Sequence, residues 1–292
     1  MGEAVAVGLV GAGPWAGMAH APALAAGPST RLAGVWARRP EASAALAGAH
    51  GAPSFTRIEE LFDACEAVAF CVPPDVQADL AARAARAGKA VLLEKPLALD
   101  LDGARRLSGA IAEAGVASQI ALTVRYSAAA RAFLERARGS APLGGYGSFV
   151  TPVLAGGPFA TPWRLEHGAL LDLGPHLVDL LDAALGRVTA VRAHGDPLGW
   201  VGLLLEHEGG AVSQASVSMA GAAGGPPAHV EVHGRAGHAR LDWTDLGDDA
   251  FPTMVAEFAA AVRDGGGHPL DAAHGLRVQE ILTAAAADLL AR

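Results

Sequence analysis

A short apolar run, Ala4 to Val10, ends in Gly11-Ala12-Gly13-Pro14-Trp15-Ala16, and an Ala-rich segment follows to Ala26. The run is too short and too uniformly apolar for an amphipathic helix, so it reads as a strand buried on both faces, as in a parallel sheet. The local order is then strand, tight glycine turn, helix. In this G-x-G-x-x-A spacing Gly11 permits the turn, Gly13 lets a pyrophosphate approach the backbone, and Ala16 keeps helix and strand close. Exposed N–H groups at the helix start suit phosphate. Gly11, Gly13, Pro14, Trp15 and Ala16 are therefore expected to bind a dinucleotide; a purely structural glycine turn is the alternative.

The alternation continues. Leu32 to Trp36 reads as a second strand, followed by Ala37-Arg38-Arg39 where a fold selecting NAD would place a carboxylate for the ribose 2′-hydroxyl. Two guanidinium groups suit a 2′-phosphate instead, which favours NADP over NAD; a solvated basic turn is the other reading. Glu41 to His50 reads as a helix, Ser54-Phe55 as a short strand and Arg57 to Asp63 as a helical turn. Ala67 to Val72 is a buried strand stopped by Pro73-Pro74-Asp75, with Asp75 expected to cap a helix from Val76 to Ala87. Val72, Pro73 and Pro74 are expected to cover the nicotinamide side.

Ala90 to Pro96 is another buried strand whose end is charged, so Glu94 and Lys95 sit where an open α/β sheet collects its ligands. Asp100 to Gly115 reads as a helix with good boundary residues at both ends. Gln119 to Val124 is a further strand, with Arg125-Tyr126 directly after it. Strands alternating with helices to residue 124 describe an N-terminal doubly wound parallel sheet, an α/β Rossmann domain over 1–124.

Beyond Ser140 the texture changes. Ser148 to Leu154 is β-like, and a Gly/Pro loop leads to Trp163-Arg164-Leu165-Glu166-His167 and a helical stretch, Ala169 to Leu185. Strand-like pieces follow at 188–194, 200–207, 211–219, 229–233 and 239–243, then helices at 252–263 and 275–290. The two-residue alternation of the strands suits a large, mainly antiparallel open sheet with one covered face. Residues 125–292 are thus expected to form a second α/β domain for substrate binding and oligomerisation. The open face needs a cover, expected to be another subunit in a homodimer or homotetramer.

With 292 residues and 51% hydrophobic content the chain can bury two domain cores. A net charge of −8 offers no generic attraction to nucleic acid or to anionic lipid. No apolar stretch reaches membrane length and no leader pattern opens the chain, so the reading is cytoplasmic. Cys65 and Cys71 read as two small buried hydrophobes rather than a disulfide or metal pair. No histidine spacing suggests a metal.

Three marks together resemble the Gfo/Idh/MocA oxidoreductase family, named for glucose–fructose oxidoreductase and inositol dehydrogenase. They are Gly11-x-Gly13-x-x-Ala16, Glu94-Lys95-Pro96, and Gly168-Ala169-Leu170-Leu171-Asp172-Leu173-Gly174-Pro175-His176 preceded by Trp163-Arg164. The resemblance implies NAD(P) and a small-molecule substrate in a cleft between the domains. It implies that Lys95 touches the substrate oxygen and the nicotinamide ribose, often through a cis bond to the proline. It also implies that Asp172 and His176 bind substrate and move its proton. The strand before Tyr126 departs from the family's sugar-oxidising pattern in having Thr123-Val124-Arg125.

Taken as an oxidation of a small alcohol, or the reverse on a keto or imine group, the chemistry needs a base, for which His176 is suited by its ordinary pKa. Lys95 would stabilise the developing alkoxide, and Asp172 would hold substrate or orient Lys95. Arg125, Trp163, Arg164 and His167 are candidate pocket residues. The plain alternatives are a solvated strand end for Lys95, a helix N-cap for Asp172 and a core histidine for His176. Two other functions stay open: glycoside cleavage through a tightly held NAD, and a non-catalytic nucleotide-responsive binding protein. The four-residue spacing of Asp172 and His176 would place them on one helix face, although Pro175 is comfortable only in a first turn.

Overall fold

The computed structural model describes residues 3–291, which divide into two compact units. The first holds residues up to Thr123 together with Phe251–Leu276; the second holds Val124–Ala250 and the residues from Arg277 onward. The sequence reading draws a single boundary at 124/125. The chain instead returns to the first unit near its end.

In the first unit the strands are β1 (Val5–Val10), β2 (Thr30–Trp36), β3 (Ala67–Phe70), β4 (Ala90–Leu93) and β5 (Ser118–Ile120). All pairs are parallel, in the order β2-β1-β3-β4-β5. The expected doubly wound sheet is therefore present, and its order reverses between β1 and β3, the point at which such sheets open a crevice. Ser54 contributes only an isolated bridge to Val35. The helices are α1 (Ala21–Ala26), α2 (Pro40–Ala49), α3 (Ile58–Asp63), α4 (Pro74–Arg86) and α5 (Leu101–Ala114). Asp100 caps α5 by accepting the Gly103 N–H at 2.6 Å, and left-handed Gly115 ends it. Asp75 does not cap α4. That helix starts at Pro74, whose fixed φ and missing N–H suit a first turn, and Asp75 lies inside it. Cys65 is buried, which pushes its thiol pKa up, while Cys71 is half-buried.

The later part of the chain explains why the sheet can stop at a three-residue strand. Ile120 donates its N–H to the Leu270 carbonyl at 2.8 Å, and buried Gln119 donates its side-chain amide to the Met254 carbonyl at 2.8 Å. The returning segment thus satisfies an edge that would otherwise be open. The sequence reading extends β5 to Val124, but residues 123–126 form a 3-10 turn.

The second unit opens with α6 (Ala128–Gly139), capped by Ser127, a helix the sequence reading does not contain. Next come β6 (Pro142–Val150), α7 (Pro162–Asp172) and α8 (Gly174–Leu185). The strands β7 (Val188–Gly195), β8 (Val201–His207), β9 (Val212–Ser218), β10 (His229–Gly234) and β11 (Gly237–Asp242) follow. Helix α9 (Ala250–Asp264) packs almost wholly in the first unit, and α10 (Ala272–Leu290) ends the chain in the second. The six-stranded order is β11-β10-β6-β9-β8-β7, antiparallel except for the parallel β6–β9 pair. Leu177, Val178, Leu180 and Leu181 of α8 are fully buried in the core shared with the sheet. On the other face Leu143, Tyr146, Leu204 and Val212 are exposed. No helix among the described residues is long and apolar enough to cross a membrane.

An ion pair closes this unit. Arg277 of α10 donates through both terminal nitrogens to Asp182 of α8, and Asp182 also accepts the Val188 N–H at 2.9 Å. Removing the guanidinium would leave a carboxylate with little access to water. Arg277→Met is expected to cost about 3 kcal/mol in urea unfolding, as for breaking one side of a buried pair; adding Asp182→Asn should return part of it.

Candidate active site

The carboxyl edge of the first sheet gathers most of the residues singled out in the sequence. Gly11 follows β1 with φ at +121°, and a Cβ there would run into the backbone carbonyl of Cys71 after β3. The ends of β1, β2 and β3 are laced together, Gly11 N–H to Trp36 O and Cys71 N–H to Val10 O, both at 2.8 Å. Gly11 is thus demanded by the protein itself. Gly13 is different: a Cβ there meets nothing within 4 Å. The chain leaves room at this point, as a backbone that must let a phosphate approach would.

From Pro14 the backbone enters a helix whose turn Ala16–His20 is π-helical, the Ala21 N–H reaching back to the Ala16 carbonyl. Wide turns of this kind recur at functional sites. Here the turn carries His20, only 1% exposed. The Glu94 carboxylate at the end of β4 meets His20 Nε2 at 2.7 Å and accepts from Trp15 Nε1 at 2.9 Å, both on Oε1. Its other oxygen accepts the Lys95 N–H at 3.2 Å. Burial alone would raise the Glu94 pKa; the His20 bond and charge, the Lys95 charge and the Trp15 bond outweigh it and hold the carboxyl below its ordinary value. Phe251 covers this cluster, edge-on to Trp15 at 5.6 Å and to His20 at 5.5 Å.

A second clamp works on the backbone. Gln77 of α4, fully buried, accepts the Glu94 N–H at 2.8 Å and donates to the carbonyls of Glu94, Pro96 and Leu97 at 2.7, 3.2 and 3.1 Å. One side chain therefore pins both ends of the corner that carries Lys95, and the Lys95–Pro96 bond is cis. Lys95 itself is half-buried, and Val72, Pro73 and Pro74 line the same edge after β3. Arg38 and Arg39 stand exposed after β2 with no ion-pair partner among the described residues.

In the second unit the sequence places 169–185 in one helix; the structure kinks the chain just before this stretch, at Gly168, and breaks it once, at Leu173. Gly168 turns the chain with φ at +71°, where a Cβ would strike the Pro197 carbonyl. Helix α7 then ends at Asp172, and α8 restarts at Gly174 with Pro175 in its first turn. Proline has no N–H and would clash with a carbonyl four residues back, so the restart is forced. Asp172 and His176 consequently lie on successive helices joined at Leu173, and Asp172 does not cap α8. Both are buried. Arg164 donates through Nε to Asp172 at 2.8 Å and lies over the Trp163 ring at 4.6 Å, so three of the residues named from the sequence form one stack. Arg125 pairs with buried Asp179 of α8 at 2.7 Å. His167 sits beside Glu166 at 3.9 Å, apart from that stack. The His176 ring centre is 6.2 Å from that of Phe149 on β6.

His20, Gln77 and Asp179 are the residues that sequence reasoning missed. Each is a single polar side chain whose partner lies 17 to 74 positions away, and no local spacing announces it.

Comparison with known proteins agrees with this geometry. The family described as "Oxidoreductase family, NAD-binding Rossmann fold" matches residues 5–122, and its companion, the GFO/IDH/MocA C-terminal domain, matches 130–240. Inositol 2-dehydrogenase of Rhizobium meliloti (strain 1021) is 44% identical over 103 residues, 35% of this chain and 31% of that protein. The dTDP-3,4-didehydro-2,6-dideoxy-alpha-D-glucose 3-reductase of Streptomyces violaceoruber is 31% identical over 195 residues, 65% of this chain and 57% of that protein. The chain spans between about a third and somewhat over half of the curated relatives it matches. Among solved structures, GenD2 from gentamicin A biosynthesis, in complex with NAD, superposes with TM-score 0.87 at 27% identity, covering 99% of this chain and 95% of that one.

The contrast between the two glycines is testable. Gly13→Val should fold with a wild-type melting temperature yet weaken NAD(P)H binding at least about tenfold in calorimetric titration. Gly11→Ala, strained and blocked, should cost about 2 kcal/mol or more of stability.

Proposed function

Because the chain belongs to the GFO/IDH/MocA oxidoreductase family, we propose that it is an NAD(P)-dependent dehydrogenase acting on a CH–OH group of a small sugar-like substrate, or the matching reductase. The observation that carries this reading is the Lys95 corner, held by Gln77 and Glu94 at the same sheet edge as the open Gly13. The dehydrogenase and reductase names of the relatives support the substrate class.

A nicotinamide bound at that edge supplies or accepts hydride at its C4. Lys95 donates a hydrogen bond to the substrate oxygen and stabilises its charge as the carbon is oxidised. His176 takes the hydroxyl proton, or returns it in reduction. Asp172, oriented by Arg164, accepts a hydrogen bond from the substrate. Arg125, Trp163 and His167 shape the surroundings. Composition supports a role for an ammonium at 95: the chain's 22 Lys and Arg residues include only two lysines, Lys89 and Lys95. Arginine, a planar fork that stays charged, could not substitute for a compact point donor. For the cofactor, Arg38 and Arg39 support NADP, since they follow β2 with no carboxylate beside them to take a 2′-hydroxyl. The exposed apolar residues of the open sheet face support assembly with further copies of the chain.

Two measurements test this. Lys95→Ala should lower kcat about 10²–10³-fold while the cofactor Kd stays within about threefold; wild-type turnover would end the proposal. The double change Arg38→Ala and Arg39→Ala should raise the NADPH Kd about tenfold to a hundredfold and barely alter that of NADH. Equal effects on both would transfer the preference to NAD.

A further inference from the structure

Within the second unit lies an open pocket of about 360 Å³ that the proposed reaction does not use. One wall is aromatic: Phe149 at the end of β6 and Trp243 after β11, with ring centres 5.5 Å apart and planes tilted by 56°. Pro226, Pro227 and Ala228 of a Gly/Pro loop also line it. Both ends of the frame are tied by backbone bonds, Gly221 N–H to Thr151 O at 3.1 Å and Trp243 N–H to Ala228 O at 2.8 Å. The pocket is thus built by sheet and loop together.

Three features say what it would hold. Its lining contains no ionisable side chain, so an anionic or cationic group placed there would find no ion-pair partner. Its walls offer two aromatic faces, suited to the C–H face of a pyranose or to an aryl ring. The third feature is position. Phe149 is the wall shared with the catalytic side, since its ring also faces that of His176 at 6.2 Å.

We propose that this pocket is a subsite for an uncharged ring attached to the substrate beyond the reacting carbon, so that the protein takes glycosides or disaccharides in preference to free or phosphorylated monosaccharides. The inference rests on the reading of His176 as the group that moves the substrate proton. Phe149 and Trp243 would hold the distal ring.

The test uses the full chain with saturating cofactor and the best monosaccharide of a turnover panel, supplied as its methyl glycoside, phenyl glycoside and 1-phosphate. The phenyl glycoside should exceed the methyl glycoside in kcat/KM by about tenfold, through KM, and the 1-phosphate should be the poorest. Trp243→Ala, or Trp243→Leu if the alanine variant does not fold, should bring the phenyl-to-methyl ratio to within about twofold of one. A wild-type ratio near one, a ratio unmoved by the Trp243 change, or preference for the 1-phosphate would overturn the subsite. Saturation-transfer NMR with phenyl β-D-glucopyranoside and phenyl β-D-galactopyranoside gives a readout without turnover. Transfer to the phenyl protons that vanishes in the Trp243 variant supports the subsite even if no substrate turns over, a result that would sink the dehydrogenase reading alone. Turnover without such transfer would sink the subsite alone.

Discussion

One buried carboxylate organises the first unit. Glu94 sits at the end of a strand where desolvation opposes its charge, and its pKa is held down because three residues converge on it: His20 through its bond and charge, Lys95 through its charge and Trp15 through its bond. Trp15 and His20 both belong to the helix that follows the glycine turn, so the same carboxylate that precedes Lys95 fixes the first helical turns beyond Gly13. Each of these donors would cost about 1–3 kcal/mol if left buried and unmatched. The π-helical turn is part of this arrangement, since it carries His20 to Glu94. Phe251, from the returning segment, packs edge-on against Trp15 and His20.

Lys95 gains its fixed place from this arrangement rather than from its own contacts alone. The Gln77 amide binds the backbone on both sides of it, and Glu94 binds its N–H. In the second unit Asp172 is handled similarly, Arg164 holding the carboxylate while stacking on Trp163. In both places a polar group is oriented by neighbours that spend their own hydrogen-bonding capacity doing so, as sites that must hold geometry require. The two glycines beside Lys95 show the complementary device. Gly11 is excluded from carrying a side chain by the Cys71 backbone, while Gly13 faces open space.

Much of this was legible from residue order because the signals are local. The apolar runs at β1, β3 and β4 appear where the sequence places them, since a fully buried parallel strand needs little beyond a short apolar stretch between turn residues. Asp100 and Gly115 bound α5 as their capping chemistry requires. The alternating strands of the second sheet were readable for the same reason. Two features went unread: α6, although Ala130, Phe133, Leu134 and Ala137 form a buried stripe at i, i+3, i+4 and i+7 behind the Ser127 cap, and the break between α7 and α8. The break follows from Pro175, whereas the kink at Gly168 inside α7 faces the carbonyl of Pro197, 29 positions later.

From its own residue order the chain determined a parallel sheet with a glycine turn, a charged corner at Glu94-Lys95-Pro96, and a second, mainly antiparallel sheet, because periodicity, turn chemistry and caps act over a few residues. Tertiary structure alone decided that His20 and Gln77 hold that corner, that Asp179 takes Arg125, and that residues 251–276 close the edge at β5. Those choices are settled by the need of each buried polar group to find a partner. Such partners are selected by proximity in space, which no sequence spacing records.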